Sequence, residues 1–261
     1  LDLYDKTKYV ITDVLDNPDA IMVHSAPLHD LVFGDKLKAI VRVGAGVNTI
    51  PVDRCTENGI AVFNTPGGNA NAVKELAIAA MVSITRNVEA ASAWVKTLKN
   101  SESEPGKAVE KGKEVFRGPE IMGKRIGIIG VGSIGSRMAK ACSDLGMDVI
   151  GYDPYLLPMR KKDLRAYLNF TDDVTEIYKT CDYITVHVPL NDETRDYIGA
   201  IEIDMMKPGV YLINYARGPI INEEALNAAL LSGKVKGFAT DFPTKAQLAI
   251  ETVFCTPHLG A

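Results

Sequence analysis

The stretch Ile126-Gly-Ile-Ile-Gly130-Val-Gly132-Ser133-Ile-Gly135 decides the fold of this chain. A short apolar run ends at Gly130, and a helical pattern begins at Ser133. At such a strand–helix turn, the first glycine permits the tight turn, the second lets the backbone approach a pyrophosphate, and the third lets helix and strand pack closely. The free N–H groups at the helix N-terminus favour phosphate. The spacing therefore predicts a dinucleotide-binding fold.

An acidic residue follows at the expected distance. Asp153 ends the next apolar run, 149–152, and lies 18 residues beyond Gly135, which suits a contact with the adenosine ribose hydroxyls. A 2′-phosphate near this carboxylate would cost about 4 kcal/mol at about 4 Å and an effective dielectric of about 20. No arginine at 154–157 offsets that repulsion. We therefore predict NAD rather than NADP, although a strand-end aspartate can also be purely structural.

Strand and helix patterns alternate on both sides of this motif. We predict strands at 20–24, 39–43, 60–63, 125–130, 148–152, 182–186, 210–214, 236–241 and 253–256. We predict helices at 51–58, 133–145, 172–179, 200–206 and 222–231, one long connecting helix at 69–99, and a loop at 101–118. The alternation predicts an α/β fold with two doubly wound parallel-sheet lobes, one of them a Rossmann domain and the smaller one flavodoxin-like.

Composition narrows the class of protein. The 261 residues are 46% hydrophobic and carry a net charge of −4, which gives no basic face for nucleic acid. The apolar stretch 76–84 is shorter than the roughly 20 residues that span a bilayer. The first residues show no basic region followed by an apolar one, so we expect no signal peptide. Four cysteines without C-x-x-C spacing fit a reducing cytosol. We expect a cytoplasmic, metal-free enzyme with neither a nucleic-acid nor a membrane partner.

Two further side chains follow predicted strands. Arg217 comes just after 210–214 and His258 just after 253–256, at the sheet edge where ligands bind. A histidine can take a hydroxyl proton and return it, and an arginine can bind a carboxylate through its forked guanidinium. Each could instead form a surface ion pair or a cap.

Together these segments make the chain resemble the D-isomer-specific 2-hydroxyacid dehydrogenases. The matching segments, in the family's order, are 43–48, 64–69, 72–76, 130–135, 187–190, 214–218 and 257–260. Within the family, the chain looks most like the phosphoglycerate dehydrogenase branch in its short bacterial form. The resemblance implies an NAD-dependent enzyme that acts on a small 2-hydroxy or 2-keto acid, as a homodimer or higher homo-oligomer.

The resemblance also assigns roles to single positions. It implies that Arg217 binds substrate and that His258 is the catalytic acid and base. The other implied substrate contacts are Ser25, Arg42, Gly44, Ala45, Gly46 and Asn69. The implied cofactor contacts are Gly130, Gly132, Ser133, Ile134, Gly135, Asp153, His187, Val188, Pro189, Tyr215, Ala216, Arg217, Asp241, His258 and Gly260.

The sequence departs from the family at the third catalytic residue. The family usually has a glutamate a few residues after the strand-end aspartate, hydrogen-bonded to the histidine. Here Asp241-Phe-Pro-Thr-Lys245 places a lysine near that position. Either another group orients His258, or its ring works with lower basicity, or activity is lost. Glu251 and Glu75 are alternative carboxylates.

A second departure concerns the phosphate. Phosphoglycerate dehydrogenases commonly carry an Arg-Ser pair after an early strand, whereas this chain has His24-Ser25. Phosphate binding would then depend on Arg42, on a nearby lysine or on a partner subunit. A hydroxypyruvate or glyoxylate reductase, another D-2-hydroxyacid dehydrogenase, and a non-catalytic NAD(H) sensor therefore stay open as alternatives.

The resemblance implies two domains. We expect residues 1–67 to form the N-terminal part of a substrate-binding domain and residues 68–257 to form the NAD-binding domain. Residues 258–261 would begin the return to the substrate domain, so we expect that domain to be truncated here.

Overall fold

The computed structural model describes residues 5–14, 16–100 and 104–260. The chain divides into two compact units, the first ending at Gly68 and the second beginning at Asn69.

The first unit contains a three-stranded parallel sheet. Its strands are β1 (Ala20–Val23), β2 (Ala39–Arg42) and β3 (Ala61–Asn64), paired in that order, and helix α1 (Val52–Glu57) precedes β3. Buried apolar side chains form its core: Ile21, Val23, Leu28, Leu37, Ile40, Ile50, Cys55 and Ile60. Val23, Arg42 and Asn64 are register partners at the carboxyl ends of the strands, so the loops that follow them share one edge.

The second unit contains a seven-stranded sheet in which each pairing is parallel. Its strands are β4 (Arg125–Ile129), β5 (Asp148–Tyr152), β6 (Asn169–Phe170), β7 (Tyr183–Val186), β8 (Val210–Asn214), β9 (Val235–Thr240) and β10 (Val253–Cys255). The order β10-β9-β8-β7-β4-β5-β6 reverses direction between β4 and β7. This is the switch point at which doubly wound sheets bind ligands, and it confirms the predicted fold class.

Helices cover both faces of this sheet. They are α2 (Ala70–Arg86), α3 (Val88–Thr97), α4 (Pro105–Gly112), α5 (Ser133–Asp144), α6 (Pro158–Leu164), α7 (Val174–Thr180), α8 (Ala200–Met205) and α9 (Glu223–Ser232). Short 3₁₀ segments occupy Leu98–Asn100, Lys113–Phe116, Gly218–Ile220 and Gln247–Ala249. One apolar core joins the sheet to α2 and α5, and another joins it to α7, α8 and α9.

The prediction of one long helix over 69–99 is wrong. The helix breaks at Asn87, whose φ of 51° is left-handed, a conformation that asparagine tolerates better than most residues. The Asn87 side-chain amide also donates to the Phe116 carbonyl oxygen, at 3.2 Å, which anchors the break to a distant segment. Hydrophobic periodicity alone did not reveal this interruption.

The prediction of a loop over 101–118 is also wrong. Residues 101–103 lie outside the described residues, and the rest includes α4 and the 3₁₀ segment Lys113–Phe116. Pro105 stands in the first turn of α4, where its fixed φ favours a helix start. The segment packs on its own chain, since the Trp94 and Phe116 rings lie 5.3 Å apart. The two-residue strand β6 and the helix α6 were not predicted.

Candidate active site

The glycine loop between β4 and α5 has the shape that its spacing predicts. Gly130 has a φ of 89°, and a Cβ placed on Gly135 would lie 2.0 Å from the Gly130 carbonyl oxygen. A Cβ on Gly132 would meet nothing within 4 Å. Packing therefore requires glycine at positions 130 and 135. Gly132 instead leaves open space in front of the first turn of α5, which contains Ser133 and Ile134. These residues fit a dinucleotide pyrophosphate.

Asp153 lies directly beside this loop. Its Oδ2 accepts a hydrogen bond from the Val131 N–H, at 2.8 Å, and its Oδ1 accepts one from the Tyr155 N–H, at 3.0 Å. The residue is only half-buried, so the carboxylate is fixed by the backbone and still accessible to a ligand. This is what a contact with ribose hydroxyls requires.

The segment after β7 closes against the same loop. A Cβ on Gly130 would lie 2.8 Å from the His187 carbonyl oxygen and 2.9 Å from the Val188 Cγ1, and Pro189 follows in exposed chain. The His187 ring points into the protein, where its Nε2 lies 3.0 Å from Thr185 Oγ1. Its Nδ1 is buried with no partner among the described residues, and burial lowers the pKa of this ring to about 4. The neutral ring therefore belongs to the core, and the backbone of His187 is the part that faces the glycine loop.

Arg217 is held by a buried asparagine. The Asn214 side chain donates to the Arg217 carbonyl oxygen at 2.9 Å and accepts from the Ala216 N–H at 3.1 Å. Asn214 is fully buried, and this clamp sets the turn that carries Arg217 beyond β8. Sequence reasoning missed this role, although a polar residue that ends a continuous apolar run is the signal that could have found it.

Phe242 brings Arg217 and His258 to one place. The guanidinium carbon of Arg217 lies 5.8 Å from the Phe242 ring centroid, and the His258 ring centroid lies 4.7 Å from it. His258 is exposed and has a φ of 53°. A left-handed backbone costs an ordinary L-residue roughly 1–2 kcal/mol, so the surrounding contacts must hold it.

The His258 loop is supported from within the same unit. Asp241 is 3% exposed, and its Oδ2 accepts from the Gly260 N–H at 2.8 Å, while its Oδ1 accepts from the Thr256 hydroxyl. The Tyr215 hydroxyl lies 3.3 Å from Thr256 Oγ1, and burial raises the pKa of Tyr215 to about 12. The Asn69 side-chain amide donates to the Gly260 carbonyl oxygen at 3.3 Å. Asn69, Tyr215 and Asp241 are thus engaged with this loop.

Lys245 stands near the position of the family's glutamate, and Glu75 and Glu251 are the alternative carboxylates. Lys245 and Glu251 are exposed, whereas Glu75 contacts Asn71 and Lys74. Gln247 is buried in the same loop, where its Oε1 accepts from the Thr244 N–H at 3.1 Å. A cavity of about 670 Å³ beside this loop is lined by Arg217, Phe242 and Gln247 among other residues.

In the first unit, Arg42 is the unusual residue. It is 6% exposed, and its Nε is buried with no hydrogen-bond partner among the described residues. It packs over Gly44, where a Cβ would lie 1.6 Å from the Arg42 Nη1. Ser25 Oγ lies 2.7 Å from His24 Nδ1 in the loop after β1. Burying part of a cation without a hydrogen-bond partner is costly, which points to an anionic ligand.

The loop 44–46 is only partly available to a ligand. The Gly44 N–H donates to Thr65 Oγ1 at 2.7 Å, and the Ala45 carbonyl oxygen accepts from the Asn64 side chain at 2.7 Å. Neither Ala45 N–H nor Gly46 N–H bonds to a described residue. A carboxylate held by this loop would therefore use Ala45 and Gly46 rather than Gly44.

Two features are absent from the described residues. Among residues 5–14, 16–100 and 104–260, no helix is both long and apolar enough to cross a membrane. The same ranges hold no group of three or more His, Cys, Asp or Glu side chains that could bind a metal ion.

Comparison with known proteins gives a consistent result. Residues 78–260 match the model of the D-isomer specific 2-hydroxyacid dehydrogenase, NAD binding domain. The chain is 36% identical to a D-3-phosphoglycerate dehydrogenase of Methanocaldococcus jannaschii over 98% of its own length and 48% of the relative's length. It is 35% identical to a hydroxypyruvate reductase of Thermotoga maritima over 95% of its own length and 79% of the relative's length.

A solved structure agrees with these sequence matches. The D-lactate dehydrogenase of Aquifex aeolicus, solved with NAD and lactic acid, is 27% identical and superposes with a TM-score of 0.74. That match covers 93% of this chain and 76% of the other. This chain spans about half the length of several phosphoglycerate dehydrogenases that it matches.

Proposed function

Because the chain belongs to the D-isomer specific 2-hydroxyacid dehydrogenase family, we propose that it oxidises D-3-phosphoglycerate to 3-phosphohydroxypyruvate, the entry to serine biosynthesis. Its second unit is the family's NAD binding domain, and NAD is the cofactor. We assign a substrate-binding role to the first unit, residues 1–68. In the second unit we assign the reaction chemistry to Arg217 and His258.

The proposed reaction divides between three groups. His258 takes the proton of the C2 hydroxyl as general base, and in the reverse direction it returns that proton. Arg217 binds the substrate carboxylate and polarises the carbonyl oxygen that forms at C2. Bound NAD supplies the acceptor for the hydride that leaves C2. The glycine loop and Asp153 would hold the pyrophosphate and the ribose.

The observation that carries the phosphorylated substrate is the Arg42 side chain, which is 6% exposed and whose Nε is buried with no hydrogen-bond partner among the described residues. A charge-assisted hydrogen bond to a phosphate would offset the cost of burying this cation, and a planar guanidinium can bind two phosphate oxygens at once. Ser25 adds a hydroxyl on the neighbouring loop. The names of several relatives at 34–36% identity support the same substrate.

A second candidate is a hydroxypyruvate reductase. The Thermotoga maritima relative carries that name, and His24 stands where phosphoglycerate dehydrogenases commonly have an arginine. With one permanent charge fewer, the anion site would suit an unphosphorylated hydroxyacid better.

We also propose a cytoplasmic homodimer or higher homo-oligomer. All four cysteines are free thiols, which supports a reducing compartment. Light scattering behind size-exclusion chromatography tests the oligomer, and a monomer at micromolar concentration would contradict it.

The test of the function is NADH oxidation at neutral pH with phosphohydroxypyruvate and hydroxypyruvate in parallel, and with NADPH as the cofactor control. We expect turnover of the phosphorylated keto acid with NADH. Turnover of hydroxypyruvate alone would replace the proposal by the reductase. NADH binding without turnover of either acid would instead favour an NAD(H) sensor.

A further inference from the structure

The carboxylate of Asp241 is committed to one short loop. Asp241 follows β9, and its two oxygens accept hydrogen bonds from Thr256 and Gly260, the residues two positions before and two positions after His258. The carboxylate is almost completely buried, so water does not compete for these bonds. Its contacts therefore bracket His258 on both sides.

The hydroxyl groups behind this carboxylate can be ordered in only one direction. A carboxylate is an acceptor, so the single hydrogen of the Thr256 hydroxyl is donated to Asp241. The Tyr215 hydroxyl, 3.3 Å from Thr256 Oγ1, must then donate to Thr256. Burial raises the pKa of Tyr215, which keeps that donor protonated. The chain Tyr215 to Thr256 to Asp241 is thus a fixed series of donors that ends on the carboxylate.

The far end of the loop is held twice. The Gly260 N–H donates to Asp241, and the Gly260 carbonyl oxygen accepts from the side chain of Asn69, the residue that precedes α2. Four non-glycine residues in the described chain have positive φ, and His258 alone among them is neither Asn nor Asp. Its backbone conformation needs such external support.

We propose that Asp241 and Thr256 are positioning residues that hold His258 for proton transfer by clamping its backbone, with the Phe242 ring supporting its imidazole. The clamp would fix the backbone of the loop that carries His258, in addition to the contacts that the ring itself makes. The role of the clamp in proton transfer rests on the proposed function. The existence of the clamp does not, because it can be tested without any turnover.

The first test needs no substitution. We expect the Gly260 amide of the unmodified protein to exchange with solvent about 100-fold or more slowly than an unprotected amide, since it bonds to a buried carboxylate. Exchange at the unprotected rate in folded protein would overturn the clamp.

The second test compares two valine substitutions. Thr256→Val removes the donor to Asp241, and Thr85→Val removes another buried hydroxyl with two partners, the Met81 carbonyl oxygen at 2.7 Å and the Tyr183 hydroxyl at 3.2 Å. The readout is the NMR signal of the His258 imidazole ring in protein that carries isotope label on its four histidines. The signal is assigned by its loss in His258→Gln.

We expect Thr256→Val to shift and broaden the His258 signal, whereas Thr256→Ser and Thr85→Val leave it as in the unmodified protein. A Thr256→Val protein that folds and gives an unchanged His258 signal would overturn the proposal. If Thr256→Val does not fold, the Gly260 exchange rate still decides the question.

Turnover is a separate readout. If the protein is active, Thr256→Val should lower kcat about 10- to 100-fold with little change in the KM for NADH, and Thr256→Ser should recover most of it. An equal loss in Thr85→Val would show a general structural effect and count against positioning. An inactive unmodified protein would contradict the proposed function and leave the exchange and ring-signal tests intact.

Discussion

Two aspartates of the second unit, Asp153 after β5 and Asp241 after β9, follow strands of one sheet and make the same kind of contact. Each accepts a hydrogen bond from a loop N–H at 2.8 Å, Asp153 from Val131 and Asp241 from Gly260. They differ in burial, because Asp153 is half-exposed whereas Asp241 is 3% exposed. An exposed carboxylate fixed by the backbone can still bind a ligand, whereas a buried one serves the loop that covers it. Burial thus separates a binding aspartate from a positioning aspartate.

The largest expected effect on turnover comes from replacing His258, which lies in the loop that Asp241 holds. His258→Gln should lower kcat by about 10²- to 10⁴-fold, because it removes the general acid and base. The dissociation constant of NADH should change by less than about threefold, since the glycine loop and Asp153 are untouched. Stopped-flow turnover and fluorescence titration with NADH measure the two quantities. Turnover unchanged across neutral pH would show that His258 is not the base.

An intermediate effect is expected at the exposed member of the pair. Asp153→Ala should weaken NADH binding about tenfold or more and reduce the preference for NADH over NADPH, because the ribose loses an acceptor and a 2′-phosphate loses a repulsive neighbour. Asp173→Ala is the matched control. The Asp173 carboxylate also accepts a hydrogen bond from a backbone N–H, that of Thr175 at 2.9 Å, but it caps helix α7 instead of contacting the glycine loop. Equal NADH affinity in the two variants would remove Asp153 from the cofactor site.

The smallest expected effect concerns His187, a buried ring beside the glycine loop. Its pKa is lowered to about 4 by burial, from an ordinary value of 6.5. Between these values the unfolded chain binds a proton that the folded chain does not. The free energy of unfolding should therefore fall as the pH drops from 6.5 towards 4, by at most about 1.4 kcal/mol per pH unit from this residue.

Urea unfolding of His187→Asn at several pH values measures this contribution. The variant should lose stability less steeply than the unmodified protein over that pH range, whereas a substitution of exposed His29, His29→Asn, should not alter the slope. Identical slopes in all three proteins would show that the His187 ring is not buried in its neutral form.

Asp153 could be predicted from the sequence and the role of Asp241 could not, and the same difference between local and long-range contacts holds for the rest of the fold. The glycine loop and Asp153 could be predicted from spacing, because the positive φ of Gly130 and the close contact of Gly135 with Gly130 are local in sequence. The packing of Gly130 against His187 and Val188 is long-range and could not. The class of fold and the strands β5 and β8 follow from continuous apolar runs in the same way. The break at Asn87 does not, since it depends on a hydrogen bond to Phe116.

The candidate site shows the same division. Arg217 and His258 could be proposed from their positions after strands, whereas a substrate role for Arg42 was implied only by the resemblance to the family. The clamp on the His258 loop joins residues 15 to 191 positions apart, which no local pattern reveals. The burial of the Arg42 Nε without a partner likewise depends on how β1, β2 and β3 align.

We propose that this chain is a dehydrogenase that selects a phosphorylated 2-keto acid through Arg42. The most direct test is the ratio of kcat/KM for phosphohydroxypyruvate to that for hydroxypyruvate, measured with NADH in the unmodified protein and in Arg42→Gln. We predict a ratio of about 100 or more that falls about 100-fold in Arg42→Gln, as expected for the loss of a charge-assisted hydrogen bond. A ratio that is the same in both proteins, or that favours hydroxypyruvate in the unmodified protein, would contradict the claim.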